Sequence, residues 1–512
     1  RWEDGVGPVD QRPTRLDLAW HSTEPNTVGT DEFMRWAAKA GVEPMMAVNL
    51  GTRGVHEAMD LLEYCNIPGG TTLSDQRRAN GAEEPYRVSM WCLGNEMDGP
   101  WQTGHKTAAE YGRLAAETAR AMRQIQPDLE LVACGSSGVS IPTFGEWERV
   151  VLTEAYDYVD MVSAHAYYWE QGNLQEFLVS AEDMDRFIAS VAATADAVAT
   201  ARKSEKVIGI SFDEWNVWYQ DRTPSKPPTG DDWPVAPRLL EDNYSVADAV
   251  VVGNLLISLL RHTDRVWSAS QAQLVNVIAP IMAEPEGPVW KQTIFHPFAL
   301  TSKFAQGDVL RVIIDGPTIH SEQFGDVQAV DAVATWTDTD GALFLVNRHE
   351  TDTIAISCEV PEGLTLTEAV ALHHSDPLWQ ASPEDDTTVA PRALETAALT
   401  GTTQEHVTVE FSFWVEAFSN SNLAFPASAG NEAAVRFGAN DSLTNNFTAG
   451  DYPGLGNRDI AADGYRLNVA LSRARALAVV IGSPDLLTGS FSSVREMELA
   501  NLFAWIMEVG GV

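Results

Sequence analysis

The sequence predicts an α/β protein whose core is a (β/α)8 barrel, followed by an antiparallel β-sandwich. Short apolar runs alternate with amphipathic helical stretches from about residue 40 to residue 280, which is typical of parallel strands joined by crossover helices. Polar side chains repeatedly follow the apolar runs, at the strand ends where barrel enzymes carry their catalytic residues. No phosphate-binding glycine motif follows the first run, which argues against a doubly wound sheet.

Six apolar runs are the predicted barrel strands, at residues 43–50, 88–93, 129–134, 159–164, 207–212 and 265–269. Amphipathic stretches between them, such as residues 107–125 and 184–201, are predicted helices. A closed barrel of this type needs eight strands. We therefore expect an incomplete barrel with its first strands missing, so that the chain begins inside the barrel.

The sequence pattern changes twice in the remaining chain, near residues 308 and 412. Short strands with turn signals between about residues 308 and 410 predict a jelly-roll-like β-sandwich. The expected domains are a truncated catalytic barrel at residues 1–305, the sandwich at 306–411, an irregular linker at 412–464 and an unrelated α/β tail at 465–512.

Composition narrows the class of protein. The 34 basic and 72 acidic residues give a formal net charge of −38, which disfavours nucleic-acid and anionic-membrane partners by repulsion. No apolar run reaches the roughly 18 residues of a membrane-spanning helix. Four scattered cysteines show no zinc spacing and no disulfide framework, which favours a reducing, cytoplasmic location.

Two glutamates at predicted strand ends are the strongest functional signal. Glu96 closely follows the run 88–93 and Glu214 closely follows the run 207–212, so each places a carboxyl group where an apolar run ends. Retaining glycosidases use two carboxylates about 5 Å apart, one as acid/base and one as nucleophile. Asp213 adjoins Glu214, but strand alternation is expected to point it the opposite way. A loop or capping carboxylate for Glu96, and a buried ion pair for Glu214, are the structural alternatives.

Other polar and aromatic residues near predicted strand ends are candidates to bind a sugar. An amide beside the acid suits the sugar 2-hydroxyl, and alternate positions on one strand place two side chains on one side. Tryptophans offer apolar platforms, and a glutamine offers a bond to the nucleophile or to a hydroxyl. Each is also readable as a core or loop residue. The candidates are Asn95, His165, Tyr167, Trp218, Gln273 and Trp20.

Five motifs together resemble glycoside hydrolase family 51, the α-L-arabinofuranosidases. Residues 91–102 (WCLGNEMDGPWQ) resemble the family's acid/base motif, and residues 213–219 (DEWNVWY) resemble its nucleophile motif. Residues 47–54, 163–168 and 272–280 support the match, which covers about residues 1–410. No metalloprotease, nucleophile-elbow, dinucleotide-binding or Walker A motif competes with it.

The resemblance implies retaining, exo-acting hydrolysis of arabinan or arabinoxylan side chains, without metal or cofactor. It implies Glu96 as acid/base, Glu214 as nucleophile, and the six candidates above as lining of the arabinose subsite. It also implies an intracellular hexamer. Residues 2–8 match a family segment that normally follows two barrel strands, so the match predicts N-terminal truncation.

The tail resembles a different family. Residues 466–484 are similar to the final motif region of superfamily 1 helicases, where arginines like Arg473 and Arg475 contact an ATP phosphate. Without a Walker A lysine this piece is not expected to hydrolyse ATP. Three alternatives to an arabinofuranosidase thus stay open: a related barrel glycosidase acting on xylosides or glucans, an inactive truncated remnant, and a helicase or NTPase fragment.

Overall fold

The computed structural model divides into two compact units. It describes residues 1–220, 228–337, 339–352, 354–359 and 367–393, together with the strands at 408–411, 415–419 and 432–437. The first unit comprises Arg1–Tyr244, His262–Gln292 and Ala381–Glu384, and the second comprises Ser245–Arg261, Thr293–Gln380 and Asp385–Val512. Of the predicted linker the structure describes only the strands at 415–419 and 432–437, and the predicted tail lies wholly outside the described residues, so the four predicted domains stay predictions.

The first unit carries seven α-helices and ten strands among its described residues. The helices are α1 (Thr30–Ala40), α2 (Val55–Asn66), α3 (Thr72–Ala79), α4 (Ala108–Ile125), α5 (Glu146–Ala155), α6 (Leu174–Leu178) and α7 (Ala181–Arg202). The strands are β1 (Arg15–Asp17), β2 (Ser22–Glu24), β3 (Met45–Ala47), β4 (Met90–Leu93), β5 (Glu130–Ala133), β6 (Met161–Tyr168), β7 (Gly209–Val217), β8 (Val266–Gln271), β9 (Ile281–Ala283) and β10 (Val289–Lys291).

Six of these strands form one parallel sheet in the order β3-β4-β5-β6-β7-β8. Each corresponds to one of the six predicted runs, and the order follows the chain. A sheet of sequential parallel strands with intervening helices is part of a (β/α)8 barrel. The predicted α/β fold is therefore confirmed, and the described sheet is a parallel half-barrel. β1 pairs with β2, and β9 pairs with β10, in two small antiparallel hairpins.

Helix α4 shows how the sequence builds the layer around this sheet. Thr107 caps its first turn, because its side chain accepts from the backbone N–H of Glu110 while Glu110 bonds back to residue 107. Its buried face includes Tyr111, Ala115, Ala119 and Met122, spaced for one side of a helix.

Tyr111 also fixes the ends of two neighbouring strands. Its hydroxyl donates to the Leu93 carbonyl at 2.7 Å and accepts from the Cys134 N–H at 2.6 Å. Its ring stacks on Trp147 of α5 with centroids 5.5 Å apart. One buried side chain thus ties the ends of β4 and β5, where Glu96 and the loop facing it begin.

The loop that carries Glu96 is anchored to the loop after β5. Asp98 accepts from the backbone N–H of Ser137 at 2.9 Å and from its hydroxyl at 3.0 Å. The buried Glu148 of α5 in turn accepts from the N–H of Ser136 at 2.7 Å. Ser136 and Ser137, the polar residues at the end of β5, therefore help to fix the loop that carries Glu96.

The second unit is mainly β-structure. Its helices are α8 (Val246–Arg261) and α9 (Phe295–Phe304). Its strands are β11 (Asp308–Leu310), β12 (Val312–Asp315), β13 (Thr318–Ser321), β14 (Gly325–Gln328), β15 (Val330–Trp336), β16 (Gly341–Asn347), β17 (Ile354–Glu359), β18 (Glu368–Leu372), β19 (Arg392–Ala393), β20 (Thr408–Phe411), β21 (Val415–Ser419) and β22 (Glu432–Phe437).

These strands form a six-stranded antiparallel sheet, β11-β15-β16-β21-β18-β19, a four-stranded sheet, β12-β22-β17-β20, and the hairpin β13-β14. The pair β17 and β22 is parallel, unlike the other pairs in this unit. The short strands expected from about residue 308 are present, whereas their arrangement as a β-sandwich stays a prediction. Among the described residues, no helix is both long and apolar enough to cross a membrane.

A buried arginine joins α2, α3 and the segment that follows them. Arg77 is completely buried, and its guanidinium donates only to backbone carbonyl oxygens, at distances of 2.6–3.3 Å. Its partners are Tyr64, Ile67, Pro68, Ala82 and Glu83. Because buried carbonyl groups need hydrogen-bond donors, this one side chain satisfies a whole irregular segment.

We expect Arg77→Met to lower the free energy of unfolding by at least about 3 kcal/mol, because five carbonyl groups, that of buried Tyr64 among them, lose a charged donor. The midpoint of urea denaturation measures the change. The control is Arg78→Met on the same helix, whose exposed guanidinium bonds to Asp75 and Glu83 and is worth at most about 1 kcal/mol. Equal midpoints for the two variants would contradict this assignment.

Candidate active site

Glu96 stands in a tight turn just after β4. Gly94 has a φ of 100° and Glu96 itself a φ of 45°, so the chain reverses sharply where the strand ends. A left-handed conformation is uncommon for glutamate, and such backbone strain is often found at functional sites. The turn brings Glu96 Oε1 to 2.9 Å from His165 Nδ1 and Oε2 to 2.6 Å from Trp101 Nε1.

Glu214 faces Glu96 from β7. The Tyr167 hydroxyl donates to Glu214 Oε1 at 2.5 Å, and Oε2 lies 3.5 Å from His165 Nδ1. A carboxylate oxygen of Glu96, a nitrogen of His165 and a carboxylate oxygen of Glu214 all lie within 4.8 Å of one another. The spacing of the carboxylates is close to the roughly 5 Å that retaining glycosidases use. The sequence pattern therefore located two facing carboxylates.

His165 is the buried centre of this cluster. It lies on β6, and its other ring nitrogen, Nε2, is 3.0 Å from Asp213 Oδ1. Burial alone lowers the pKa of His165, but the hydrogen bonds to Asp213 and Glu96 outweigh burial and raise the pKa well above its ordinary value. The raised pKa favours the protonated imidazole, which donates a hydrogen bond to a carboxylate from each ring nitrogen.

The two glutamates differ in acidity. Burial raises the pKa of Glu96, yet the bonds from His165, and then from Trp101, outweigh it and lower the pKa below its usual value. Burial raises the pKa of Glu214, and the nearby Glu96 charge adds to that rise against the attraction of His165. These opposite directions favour ionised Glu96 beside a less acidic Glu214.

Asp213 turns out to be part of the site. Its Oδ1 faces His165, and its Oδ2 accepts from Ser211 Oγ at 3.2 Å and from Cys92 Sγ at 3.4 Å. The expectation that Asp213 and Glu214 point apart is wrong in this respect, since both lie against one imidazole. The reason is local: the register of β7 against β8 shifts between Phe212 and Trp215, so simple alternation fails there.

Three aromatic candidates meet beside the carboxylates. Trp20, Tyr167 and Trp218 all pack on one apolar cluster made of Leu240, Ala272 and Ile278. The rings of Tyr167 and Trp218 meet edge to face with centroids 5.0 Å apart. Trp20 is far from the other two in the sequence, and only the fold brings it to this cluster.

The two remaining candidates are exposed. Asn95 borders a cavity of about 110 Å³ that His165 and Asp213 also line. Gln273 makes no hydrogen bond to Glu214 among the described contacts, so the proposed bond to the nucleophile is not formed. Its loop is nevertheless fixed, because buried Asn216 donates to the carbonyl groups of Ala272 and Ile278 at 2.5 Å each.

Glu96, His165 and Glu214 are close enough to one another to ligate a metal ion. Metal binding needs a neutral imidazole with a free lone pair. In His165 both nitrogens already face carboxylates, which stabilise its protonated form. The donor set thus favours a proton-sharing network over a metal centre.

Parallel strand ends that hold two facing carboxylates beside an aromatic wall define the class of barrel glycosidases. Two family models match the chain: the α-L-arabinofuranosidase 1 domain over residues 1–186 and the α-L-arabinofuranosidase C-terminal domain over residues 213–413. The chain belongs to the family 51 α-L-arabinofuranosidases.

Named relatives agree with this membership. An intracellular exo-α-(1→5)-L-arabinofuranosidase of Streptomyces lividans is 55% identical over 78% of this chain and 61% of its own length. An exo-α-(1→6)-L-arabinofuranosidase of Bifidobacterium longum is 54% identical over 76% of this chain and 77% of its own length. The chain thus spans less than two thirds of the Streptomyces relative.

Solved structures show the same fold. A family 51 α-L-arabinofuranosidase from Bifidobacterium longum superposes with a TM-score of 0.77 at 47% identity, over 82% of this chain and 85% of that one. The arabinose complex of the Thermotoga maritima α-L-arabinofuranosidase gives 0.69 at 31% identity, over 82% and 84%. Both family models end by residue 413, and the helicase resemblance of the tail is not supported by these comparisons.

We expect Asp213→Asn to lower the pKa of His165, because the imidazolium loses one of its carboxylate partners. The ring nitrogens of ¹⁵N-labelled protein, followed by NMR through a pH titration, report the change directly. His165 should lose its proton at lower pH than in the parent.

The control for this substitution is Ser211→Ala, which removes one donor to Asp213 but keeps its charge. Ser211→Ala should leave the titration of His165 nearly unchanged. An unaltered titration in Asp213→Asn would contradict the electrostatic assignment of Asp213.

Proposed function

We propose that this protein is a retaining exo-α-L-arabinofuranosidase that removes terminal arabinofuranosyl residues from arabinan- or arabinoxylan-type oligosaccharides. The observation that carries the proposal is the pair Glu96 and Glu214, with carboxylate oxygens within 4.8 Å across one buried imidazolium. The exo activity in the names of the relatives supports the same class of substrate.

The first chemical step forms a glycosyl ester. Glu214 attacks the anomeric carbon and displaces the glycosidic oxygen, while Glu96 gives its proton to that oxygen. Neighbouring groups help both partners: the Tyr167 hydroxyl fixes Glu214 Oε1 and leaves Oε2 for attack. Between the two carboxylates, the His165 cation offsets part of their mutual repulsion.

The second step releases arabinose. Glu96, now ionised, takes a proton from water, and that water attacks the anomeric carbon and frees Glu214. Each attack inverts the anomeric configuration, so the product retains the configuration of the substrate. The short carboxylate separation supports this course, because an inverting enzyme needs about 6.5–9.5 Å to admit water between them.

The aromatic wall supplies the binding surface for the sugar. Trp20, Tyr167 and Trp218 offer apolar faces for the furanose ring, and the buried indole N–H of Trp218 has no acceptor among the described residues. That N–H is free to donate to a sugar hydroxyl. Asn95 and Gln273 are exposed amides suited to bind the remaining hydroxyls.

The names of the relatives bear on linkage, on location in the cell and on assembly. The relatives are named for (1→5) and for (1→6) linkages at nearly equal identity, so the family match favours neither. We propose that the protein acts inside the cell, as several relatives are named intracellular. A homo-oligomer, a hexamer by analogy with the family, is part of the same proposal.

We expect Glu214→Ala to reduce kcat on 4-nitrophenyl α-L-arabinofuranoside by more than about 10⁴-fold, because the covalent route is lost. Glu96→Ala should lose about 10²–10⁴-fold on arabino-oligosaccharides, whose leaving group needs a proton. Release of 4-nitrophenol and of arabinose measures the two rates. Xylosides and glucans tested in parallel identify a different sugar specificity, and Glu117→Ala on the exposed face of α4 should match the parent.

Added azide distinguishes the two carboxylate roles. In Glu96→Ala, azide should attack the ester on Glu214 and give the arabinosyl azide with retained configuration. In Glu214→Ala, azide should occupy the vacated position, attack the substrate directly and give the inverted azide. Proton NMR of the products reports the configuration; the opposite pairing would mean that the two roles are exchanged.

A further inference from the structure

We propose that Trp101 is a positioning residue whose indole N–H occupies the proton-donating edge of Glu96 in the free protein and is displaced by the leaving group of the substrate. The inference rests on the proposed function and concerns the order of events at Glu96. It makes the acid available only when the second sugar, or other leaving group, has arrived.

The loop after Glu96 is built to fold the indole back on the carboxyl group. The Gly99 N–H donates to the Glu96 carbonyl at 2.9 Å and the Gln102 N–H to the Gly99 carbonyl at 3.1 Å, which makes two successive turns. The indole of Trp101 then lies against Gly99, where the Cβ atom of any other residue would collide with the ring. Glycine at position 99 is thus what admits the ring.

The two oxygens of Glu96 have different partners. Oε1 accepts from buried His165, which the sheet holds fixed, whereas Oε2 accepts from Trp101, whose side chain is 52% exposed. The proton for the leaving group therefore belongs on Oε2, the oxygen without a fixed cation. A glycosidic oxygen that receives this proton must come within hydrogen-bond distance of Oε2 and compete with the indole N–H.

The exposure of Trp101 makes displacement feasible. An indole with half its surface in water has little buried apolar area to lose on moving, and its N–H can bond to water or to a sugar hydroxyl instead. Trp101 is also placed on the leaving-group side by its contact with the acid. The same ring is therefore available to contact the arriving group.

The charges around Glu96 decide what displacement does. Titratable groups come from its own loop, from β6 and from β7, namely Asp98, His165, Tyr167, Asp213 and Glu214. Of these, only His165 is a cation, and the side chains of Trp101 and Gln102 add neutral hydrogen bonds to ionised Glu96. Trp101 is the exposed one of these two donors, and its bond to Oε2 is the one that the leaving group displaces. Loss of that bond raises the pKa of Glu96, and the proton on Glu214 moves to Glu96 with no net gain or loss.

This transfer produces the state that the retaining cycle requires, with Glu96 protonated and Glu214 ionised. In the free protein the preference is the reverse, since His165 and Trp101 favour ionised Glu96 and burial favours protonated Glu214. Binding of the leaving group therefore protonates the acid, Glu96, and ionises the nucleophile, Glu214, in one event.

The test is Trp101→Phe, which keeps an aromatic ring and removes the N–H. The profile of kcat/KM reports the free enzyme, and the profile of kcat reports the substrate complex. Loss of a donor to ionised Glu96 raises the sum of the two pKa values of the pair, so the pH optimum of kcat/KM should rise by roughly half a pH unit on arabino-oligosaccharides. The optimum of kcat should not move, because the indole has already left Glu96 in that complex.

The control is Trp36→Phe on α1, an equally exposed tryptophan that packs on Phe33 and should leave both profiles unchanged. Equal shifts of both profiles in Trp101→Phe would show that the indole stays bonded in the complex and would overturn the proposal. A uniform loss of rate without any shift in the kcat/KM optimum would also overturn it, since a purely structural role predicts that result.

NMR of the free protein separates this inference from the proposed function. The Trp101 indole N–H resonance, assigned by its absence in Trp101→Phe, should titrate with Glu96 and should move upfield and cease to titrate in Glu96→Gln. A titrating resonance in a protein inactive on every arabinofuranoside would contradict the function alone. A resonance indifferent to Glu96 in an active enzyme would contradict the inference alone.

Discussion

The site depends on one buried cation placed among three carboxylates. Asp213 and Glu96 bond to the two nitrogens of His165, and Glu214 lies 3.5 Å from one of them. Three negative charges so close together in a buried pocket would repel strongly without a positive charge between them. His165 lies on β6 and bonds to Glu96, just after β4, and to Asp213 on β7. The ends of these strands must therefore keep their relative positions. Two contacts help to hold them there: Tyr111 bonds to the ends of β4 and β5, and the side-chain amide of Asn216 on β7 bonds to the loop after β8.

Periodicity predicted the sheet well because β5, β6 and β7 are buried along most of their length and read as apolar runs. The facing glutamates were predictable for the same reason: a charge that ends such a run has few structural uses. Asp213 was set aside because alternation assumes a regular strand, and no residue pattern announced the register shift beyond Phe212. Arg77 reads as an ordinary helical arginine, since the carbonyl groups that bury it come from irregular chain. Contacts between distant segments, not local preference, decided these cases.

The hydrogen bonds of the free site favour ionised Glu96 over ionised Glu214, the reverse of what glycoside cleavage needs, and the geometry explains why. Glu96 accepts from a cation and from an indole N–H, whereas Glu214 accepts from a neutral phenol and feels the charge of Glu96. Two carboxylates this close resist simultaneous ionisation, so one proton is shared between them. The pair is poised to exchange that proton by a small change in hydrogen bonding, without a large movement of the chain.

The two carboxylates also differ in how firmly the fold holds them. Glu214 belongs to a nine-residue strand that pairs with β6 on one side and β8 on the other, and its neighbours Trp215 and Asn216 are fully buried. Glu96 belongs to a turn with a left-handed backbone, and one of its hydrogen-bond partners, Trp101, is an exposed side chain. A nucleophile must meet the anomeric carbon within a narrow range of position, whereas an acid must serve leaving groups of varied shape. Placing the nucleophile on the sheet and the acid on a loop gives each group the freedom that its part of the reaction requires.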